Sequence, residues 1–209
     1  MSLNQKISHD ECPAGDDNCP HWQELKALRE ELRELSAMVR TDELTGLYNF
    51  RYFNQAVELE MERSRRTGQP TVLIMMDLDH FKEINDAYGH EVGNQALSYV
   101  STVIRKAIRR LDIPCRYGGE EFAIILPDTD LQAGVMFARR LRLMLETAPI
   151  CVGSVTLRMT ASFGVDEFKP DDERNGREFV ERVDAFLYEA KMKGRNHVAH
   201  PPLEPEAST

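Results

Sequence analysis

The run Thr71-Val-Leu-Ile-Met-Met-Asp77-Leu-Asp79 constrains the fold more tightly than any other part of the chain. Its apolar residues follow one another almost without interruption, as in a strand buried on both faces rather than one alternating between core and water. Such a strand belongs in the middle of a covered sheet. The run also stops abruptly in acid, so Asp77 is delivered to the end of a core strand, where the sheet meets a ligand crevice. Taken singly, Asp77 reads equally well as a cap for the helix that follows.

A second acidic element lies further along. Ile113-Pro-Cys-Arg-Tyr117 and Phe122-Ala-Ile-Ile-Leu126 both read as strands, and the four residues between them, Gly118-Gly119-Glu120-Glu121, look like a hairpin connection. Glycine there tolerates positive φ and, lacking a side chain, lets a ligand approach the backbone closely. The same residues also describe an ordinary hairpin with a solvated acidic tip. Next to Asp77 they gain a purpose, because a glutamate of the hairpin and Asp77 can share a hard cation. Magnesium takes oxygen ligands, few of them from protein and the rest from water and substrate phosphates, which suits so sparse an acidic pair.

The remaining pattern predicts helices over 49–67, 80–87, 93–110, 129–147 and 176–192. Strands are expected at 71–77, in the hairpin at 113–126, in one piece at 156–165, and at 196–199. That is an α/β arrangement. With 209 residues, 42% of them hydrophobic, the chain can bury one sizeable core and not two. A formal net charge of −9 argues against non-specific binding to DNA or RNA, while leaving room for small nucleotides held by local cations. No apolar stretch approaches membrane-spanning length and no signal-peptide pattern opens the chain, so a cytoplasmic location without a membrane partner is expected. Four cysteines without a secretory context are expected to be reduced, with Cys115 and Cys151 buried. The Pro-rich acidic stretch over 200–209 is expected to be a disordered tail.

Motif blocks at compatible spacing carry a family resemblance. They are Asp42-Glu-Leu-Thr-Gly-Leu-Tyr-Asn49, Asp77-Leu-Asp-His-Phe-Lys-Glu-Ile-Asn-Asp86, Gly89-His-Glu-Val-Gly93, the signature Arg116–Phe122, and Lys191-Met-Lys-Gly-Arg-Asn196. Residues 41–199 resemble a GGDEF domain, the catalytic module of diguanylate cyclases, in its GGEEF variant. The resemblance implies a central mixed, largely antiparallel sheet flanked by helices, similar to nucleotidyl cyclase and polymerase palm domains. It also implies an enzyme that condenses two GTP into cyclic di-GMP, releasing two pyrophosphates.

Site roles follow from the same resemblance. Asp77, Glu120 and the backbone carbonyl of Leu78 match the ligands of Mg²⁺ or Mn²⁺, Glu120 also assists removal of the 3′-proton, and Glu121 contributes to the metal or its electrostatics. Lys82, Lys191 and Arg195 match positions that contact the terminal phosphates, and Gly118 and Gly119 form the turn against the nucleotide. The chain has no G-x-x-x-x-G-K-[ST] loop, so the phosphates are not held as in P-loop enzymes. Apart from the resemblance, Asp79 is read as alternating to the other face of the strand from Asp77 and so as serving structure. Asn85 matches the family's guanine-reading Asn, but the second such position, usually Asp, is Asn94 here. A carboxylate accepts from the guanine N1 and N2 donors, whereas an amide carries both donor and acceptor. Preserved GTP selectivity and weakened discrimination against ATP both remain open at this point.

Arg109-Arg-Leu-Asp112 has the R-x-x-D form of the family's inhibitory site for cyclic di-GMP, with Arg140 on the next helix as a secondary arginine. The bland reading is a surface Arg/Asp pair at a helix end. A non-catalytic receptor for cyclic di-GMP, or a scaffold module, are the alternative functions.

The N-terminal segment bears on assembly. Leu25, Leu28, Leu32, Leu35 and Val39 recur at steps of three and four, one stripe of a helix over 22–40 with coiled-coil spacing, and Glu24 and Arg29 fall at g and e positions. The helix is expected either to join two chains as a homodimer, which suits chemistry needing two GTP-loaded sites face to face, or to pack on its own domain. Residues 1–21 are polar, and His9, Cys12, Cys19 and His21 are zinc-type ligands at a spacing that fits no common zinc module.

Overall fold

The computed structural model of the protein describes residues 19–152 and 155–203, with the side chains of 32–38 outside that description. The chain divides into two units, Met1–Arg40 and Thr41–Thr209. In the first, α1 (Pro20–Met38) is the expected helix, and Leu25, Leu28 and Val39 of its stripe are exposed. Leu32 and Leu35 lie outside the described side chains. Lys26 and Arg29 sit over the ring of Trp22.

The second unit is built on β1 (Thr71–Leu78), which is flanked by antiparallel neighbours on both sides. Among the described residues the sheet runs β2 (Ile113–Gly118), β3 (Glu121–Leu126), β1, β6 (Ala161–Phe168), β7 (Val198–Ala199), and only the β6–β7 ladder is parallel. Helices cover both faces, which is why Thr71–Met76 are all buried and why the run could be apolar without alternation. Val72, Ile74, Met76 and Leu78 face α4 (His90–Ala107) and α5 (Leu131–Thr147). Leu73 and Met75 face α2 (Phe50–Thr67) and α6 (Gly176–Met192). The approach of α6 is close. A β carbon on Gly164 of β6 would stand 2.2 Å from the carbonyl oxygen of Val183 and 2.4 Å from the amide nitrogen of Leu187.

Several expectations are corrected. The strand read over 156–165 is two strands, β5 (Val155–Leu157) and β6, broken where the Thr160 carbonyl accepts from the Asp79 amide at 2.9 Å. β5 pairs with β4 (Ile150–Val152), a strand too short for periodicity to reveal. α4 begins and ends earlier than 93–110, so Arg109–Asp112 is a turn and not a helix end. Cys115 is buried and its thiol is pushed up to about 12 by desolvation, but Cys151 is exposed because β4 presents one face to water. The packed chain extends to Leu203, which lies against the core, while 204–209 are outside the described residues. Among the described residues no helix is long and apolar enough to cross a membrane.

Candidate active site

Strand parity places Asp77 on the face shared with Leu73 and Met75, where α6 lies. Register sets it opposite Glu121 of β3 on one side and Ser162 of β6 on the other. Lys191, in the last turn of α6, puts Nζ 2.8 Å from Asp77 Oδ2, with both side chains largely shielded. Asp77 is therefore no helix cap: the N-cap position of α3 (Phe81–Tyr88) belongs to His80.

The signature turn is tighter than four residues. Gly118 pairs with Glu121, so Gly119 and Glu120 alone form its tip, and Tyr117 is the extra residue of a bulge between Arg116 and Gly118. Gly119 has φ +34°, and a β carbon there would find nothing within 4 Å, which leaves the tip open to a ligand. The tip is tied to β1 by the Leu78 amide donating to the Glu120 carbonyl at 3.3 Å. Arg116 holds it from the other side. Its Nε and Nη2 donate to the Gly119 carbonyl at 3.1 and 2.9 Å, and its Nη1 donates to both oxygens of Asp42 at 3.2 Å. Burial works to raise the pKa of Asp42, but hydrogen bonds from Thr45 and the Arg116 charge outweigh it and hold the carboxyl below its ordinary value.

Charge is concentrated here. Burial raises the pKa of Glu121, the neighbouring Asp77 charge raises it further, Lys191 opposes this, and Asp184 and Glu120 add to the rise. One lysine faces several carboxylates, so the site favours a further cation. Among the described residues no three His, Cys, Asp or Glu side chains form a closed cage. A sparse pair of carboxylates fits a hard divalent ion whose remaining ligands are water and phosphate oxygens.

Asp79 is buried and structural, though not for the reason expected. Residues two apart in a strand share a face, so continued strand would have set Asp79 beside Asp77; β1 instead ends at Leu78, and the chain turns Asp79 toward Thr160, Ser162 and Asn196. It accepts from Thr160 Oγ1 at 2.7 Å, Ser162 Oγ at 2.7 Å and the Asn196 amide at 2.9 Å. Asn196 in turn accepts from Arg142 at 2.9 Å and donates to Glu146 at 2.9 Å. Gly194, Arg195 and Asn196 all have positive φ, so this node fixes a strained loop that presents Arg195 to solvent. Sequence reasoning assigned no role to Asn196, Thr160 or Ser162. The asparagine beside Gly194 and Arg195 was the available signal, since Asn tolerates left-handed backbone better than most residues.

Lys82 at the start of α3 is exposed, as is Asn94 on α4, and neither is hydrogen-bonded to the Asp77–Lys191 pair. Asn85 is half-buried, with Oδ1 only 2.0 Å from where a β carbon of Gly93 would stand. The α3–α4 junction, turned at Gly89 with φ +82°, thus brings Asn85 and the Gly93–Asn94 step together.

The family pattern described as "Diguanylate cyclase, GGDEF domain" matches residues 39–197. The chain belongs to this family. Among its relatives, the response regulator PleD of Caulobacter vibrioides is 36% identical over 82% of this chain, and the diguanylate cyclase DgcP of Pseudomonas aeruginosa is 36% identical over 84%. The match spans 38% of PleD and 26% of DgcP, so the chain covers well under half the length of either. The crystal structure of the coiled coil and GGDEF domain of DgcB from Caulobacter crescentus, in complex with c-di-GMP, is similar with a TM-score of 0.74 at 31% identity, covering 86% of this chain and 95% of that one.

Away from the turn, a cavity of about 450 Å³ is lined by Arg109, Asp112 and Arg140 together with Phe137 and Met136. Asp112 accepts from the Arg109 amide at 2.6 Å, which closes the R-x-x-D turn. Burial pushes the Asp112 carboxyl up, against the Arg109 amide and the charges of Arg109 and Arg140. The zinc-type cluster is not assembled by what is described: His9 and Cys12 lie outside the described residues, Cys19 is a free, half-buried thiol, and His21 is exposed.

Proposed function

We propose that this GGDEF domain condenses two GTP into cyclic di-GMP and two pyrophosphates, acting as two copies with a divalent cation. The observation that carries the reading is the convergence of Asp77, the Glu120–Glu121 turn and Lys191 at the end of a buried strand. Each copy holds one GTP. The 3′-oxygen of one nucleotide attacks the α-phosphorus of the other; a P–O bond forms as the bond to the pyrophosphate oxygen breaks, and Glu120 takes up the 3′-proton. Asp77, Glu120 and the Leu78 carbonyl would hold Mg²⁺ or Mn²⁺, which neutralises phosphoryl charge and lowers the pKa of the hydroxyl. Lys82, Lys191 and Arg195 bind the terminal phosphates, Gly118 and Gly119 make room for them, and Asn85 and Asn94 read guanine. Use of GTP assigns the reaction to the cytoplasm.

The cavity at Arg109, Asp112 and Arg140 supports a product site: arginine forks suit phosphate and guanine acceptors, and inhibition by cyclic di-GMP follows. The exposure of Leu25 and Leu28 on α1 and of Val39 just after it supports homodimerisation through that helix. The test is incubation of the protein with GTP and Mg²⁺ followed by mass spectrometry of the products. Cyclic di-GMP is expected from the wild type and its loss from Glu120→Gln or on chelation. Binding of cyclic di-GMP without turnover would replace the enzyme by a receptor. Asn94 favours a second reading, relaxed base selectivity, and competing GTP with ATP decides it: a mixed cyclic product supports relaxation, whereas cyclic di-GMP alone removes it.

A further inference from the structure

Of the three cations assigned to the terminal phosphates, Lys82 and Lys191 stand on helices, whereas Arg195 lies in the turn between α6 and β7. Its backbone is left-handed, with φ +63°, and that of Asn196 follows at +47°. Asparagine tolerates this region, but an arginine does not favour it, because its β carbon crowds the neighbouring carbonyl. The turn is therefore held in shape from outside.

The restraint falls on Asn196. Its amide donates to Asp79 Oδ2 at 2.9 Å, while its carbonyl and its Oδ1 both accept from Arg142 Nη1, at 3.3 and 2.9 Å. The N–H and C=O of a residue bracket its two soft dihedrals, so tying one to Asp79 and the other to α5 sets the angles between them. Arg142 supplies half of that clamp. It also pairs with Glu146 at 3.0 Å, and Glu146 accepts from Asn196 Nδ2 at 2.9 Å, which closes a ring of three side chains. With its side chain only 23% exposed, Arg142 spends its charge inside this ring and not on a ligand. If Asn196 relaxed while α6 and β7 stayed in place, the turn would re-aim the Cα–Cβ bond of Arg195, and the long side chain would carry its guanidinium away.

We propose that Arg142 is a positioning residue for the substrate: through Asn196 it holds Arg195 in the orientation that meets the terminal phosphates of GTP, without touching the nucleotide. The inference rests on the cyclase reading, in which Arg195 binds those phosphates.

The experiment is a double-mutant cycle read by binding of 3′-deoxy-GTP, which lacks the attacking hydroxyl. Titration calorimetry and thermal melts compare wild type, Arg142→Met, Arg142→Lys, Asn196→Ala, Arg195→Ala and the double variant Arg142→Met/Arg195→Ala. Arg195→Ala should weaken binding about tenfold or more, as expected for a lost hydrogen bond between charged groups. Arg142→Met and Asn196→Ala should each weaken it about five- to tenfold, while Arg142→Lys, which still offers Asn196 a donor, should stay within about threefold. The double variant decides the matter. It should bind no more than about twofold more weakly than Arg195→Ala, since a guanidinium that is gone cannot be misplaced. A loss from Arg142→Met that is as large without Arg195 as with it shows a general loosening or a lost charge, and overturns the inference. Wild-type binding by Arg142→Met overturns it too, as does failure of both Arg142→Met and Asn196→Ala to fold. All three outcomes leave the cyclase reading intact. Wild-type binding by Arg195→Ala refutes the role of Arg195 and this inference with it, whereas a wild type that binds 3′-deoxy-GTP and makes no cyclic product from GTP refutes the cyclase reading alone.

Discussion

Gly93→Ala is expected to separate base recognition from folding. The new β carbon would lie 2.0 Å from Asn85 Oδ1, 3.1 Å from its Cγ and 3.2 Å from Cζ of Phe81. None of these atoms is backbone, so the amide swings aside and the ring yields by a few tenths of an ångström. In a helix interior alanine is preferred to glycine by about 1 kcal/mol, and crowding of Phe81 costs roughly 1 kcal/mol at the low end of overpacking. The two nearly cancel, leaving stability within about 1 kcal/mol of wild type. Asn85 carries the loss. Two hydrogen bonds to guanine at about 0.5–1.5 kcal/mol each amount to about a 5- to 150-fold rise in the dissociation constant for GTP. Titration calorimetry with 3′-deoxy-GTP, paired with a thermal melt, measures both. Unchanged affinity would refute the placement of Asn85 in the base site, and a protein that no longer folds would refute the claim that only flexible side chains stand in the way.

Further substitutions test the scaffold. Asp79→Ala strips the bonds from Thr160, Ser162 and Asn196, and should cost about 3–5 kcal/mol in urea unfolding while loosening the Arg195 loop to hydrogen exchange. Gly164→Ala drives a methyl into the backbone of α6 rather than into a side chain, so a loss of about 3 kcal/mol or more is expected by denaturant titration, together with reduced activity as Lys191 retreats from Asp77. Asp42 titrates below its ordinary value of 3.8, so its contribution to stability is complete above that pH and is lost as pH falls through the depressed value. Asp42→Asn should flatten that acid limb in melts taken from about pH 5 downwards. Arg116→Ala should leave the melting temperature within a few degrees, since the guanidinium is partly solvated, while lowering cyclic product formation through a loosened Gly119 carbonyl.

Much of the fold could be read along the chain, because burial on one or both faces leaves a period in the sequence. The apolar run through Met76, the hairpin strands and the long helices all followed from that period. Where burial is brief the period is too short to see, so β4 was missed and the break between β5 and β6 was read through. The end of α4 was placed too late because Ile108 and Leu111 continue an apolar pattern after the helix has stopped. The site was legible in its members more than in its bonds. The sequence pointed Lys191 toward phosphate without revealing that it also pairs with Asp77, and it placed Arg116 in a signature without revealing that it braces the turn against Asp42.

Read along the chain alone, β1 is a core strand ending in a carboxylate, a glycine turn with two glutamates follows, and the blocks belong to one family. These are properties of local composition and order. Which polar group meets which emerges only on folding: Asp77 with Glu121 and Lys191, Asp79 with Thr160, Ser162 and Asn196, Arg116 with Asp42. The reason is physical. A hydrophobic pattern states which face is buried but is indifferent to which polar partner arrives there, and that choice depends on strand register and helix approach, set by the packing of the whole core.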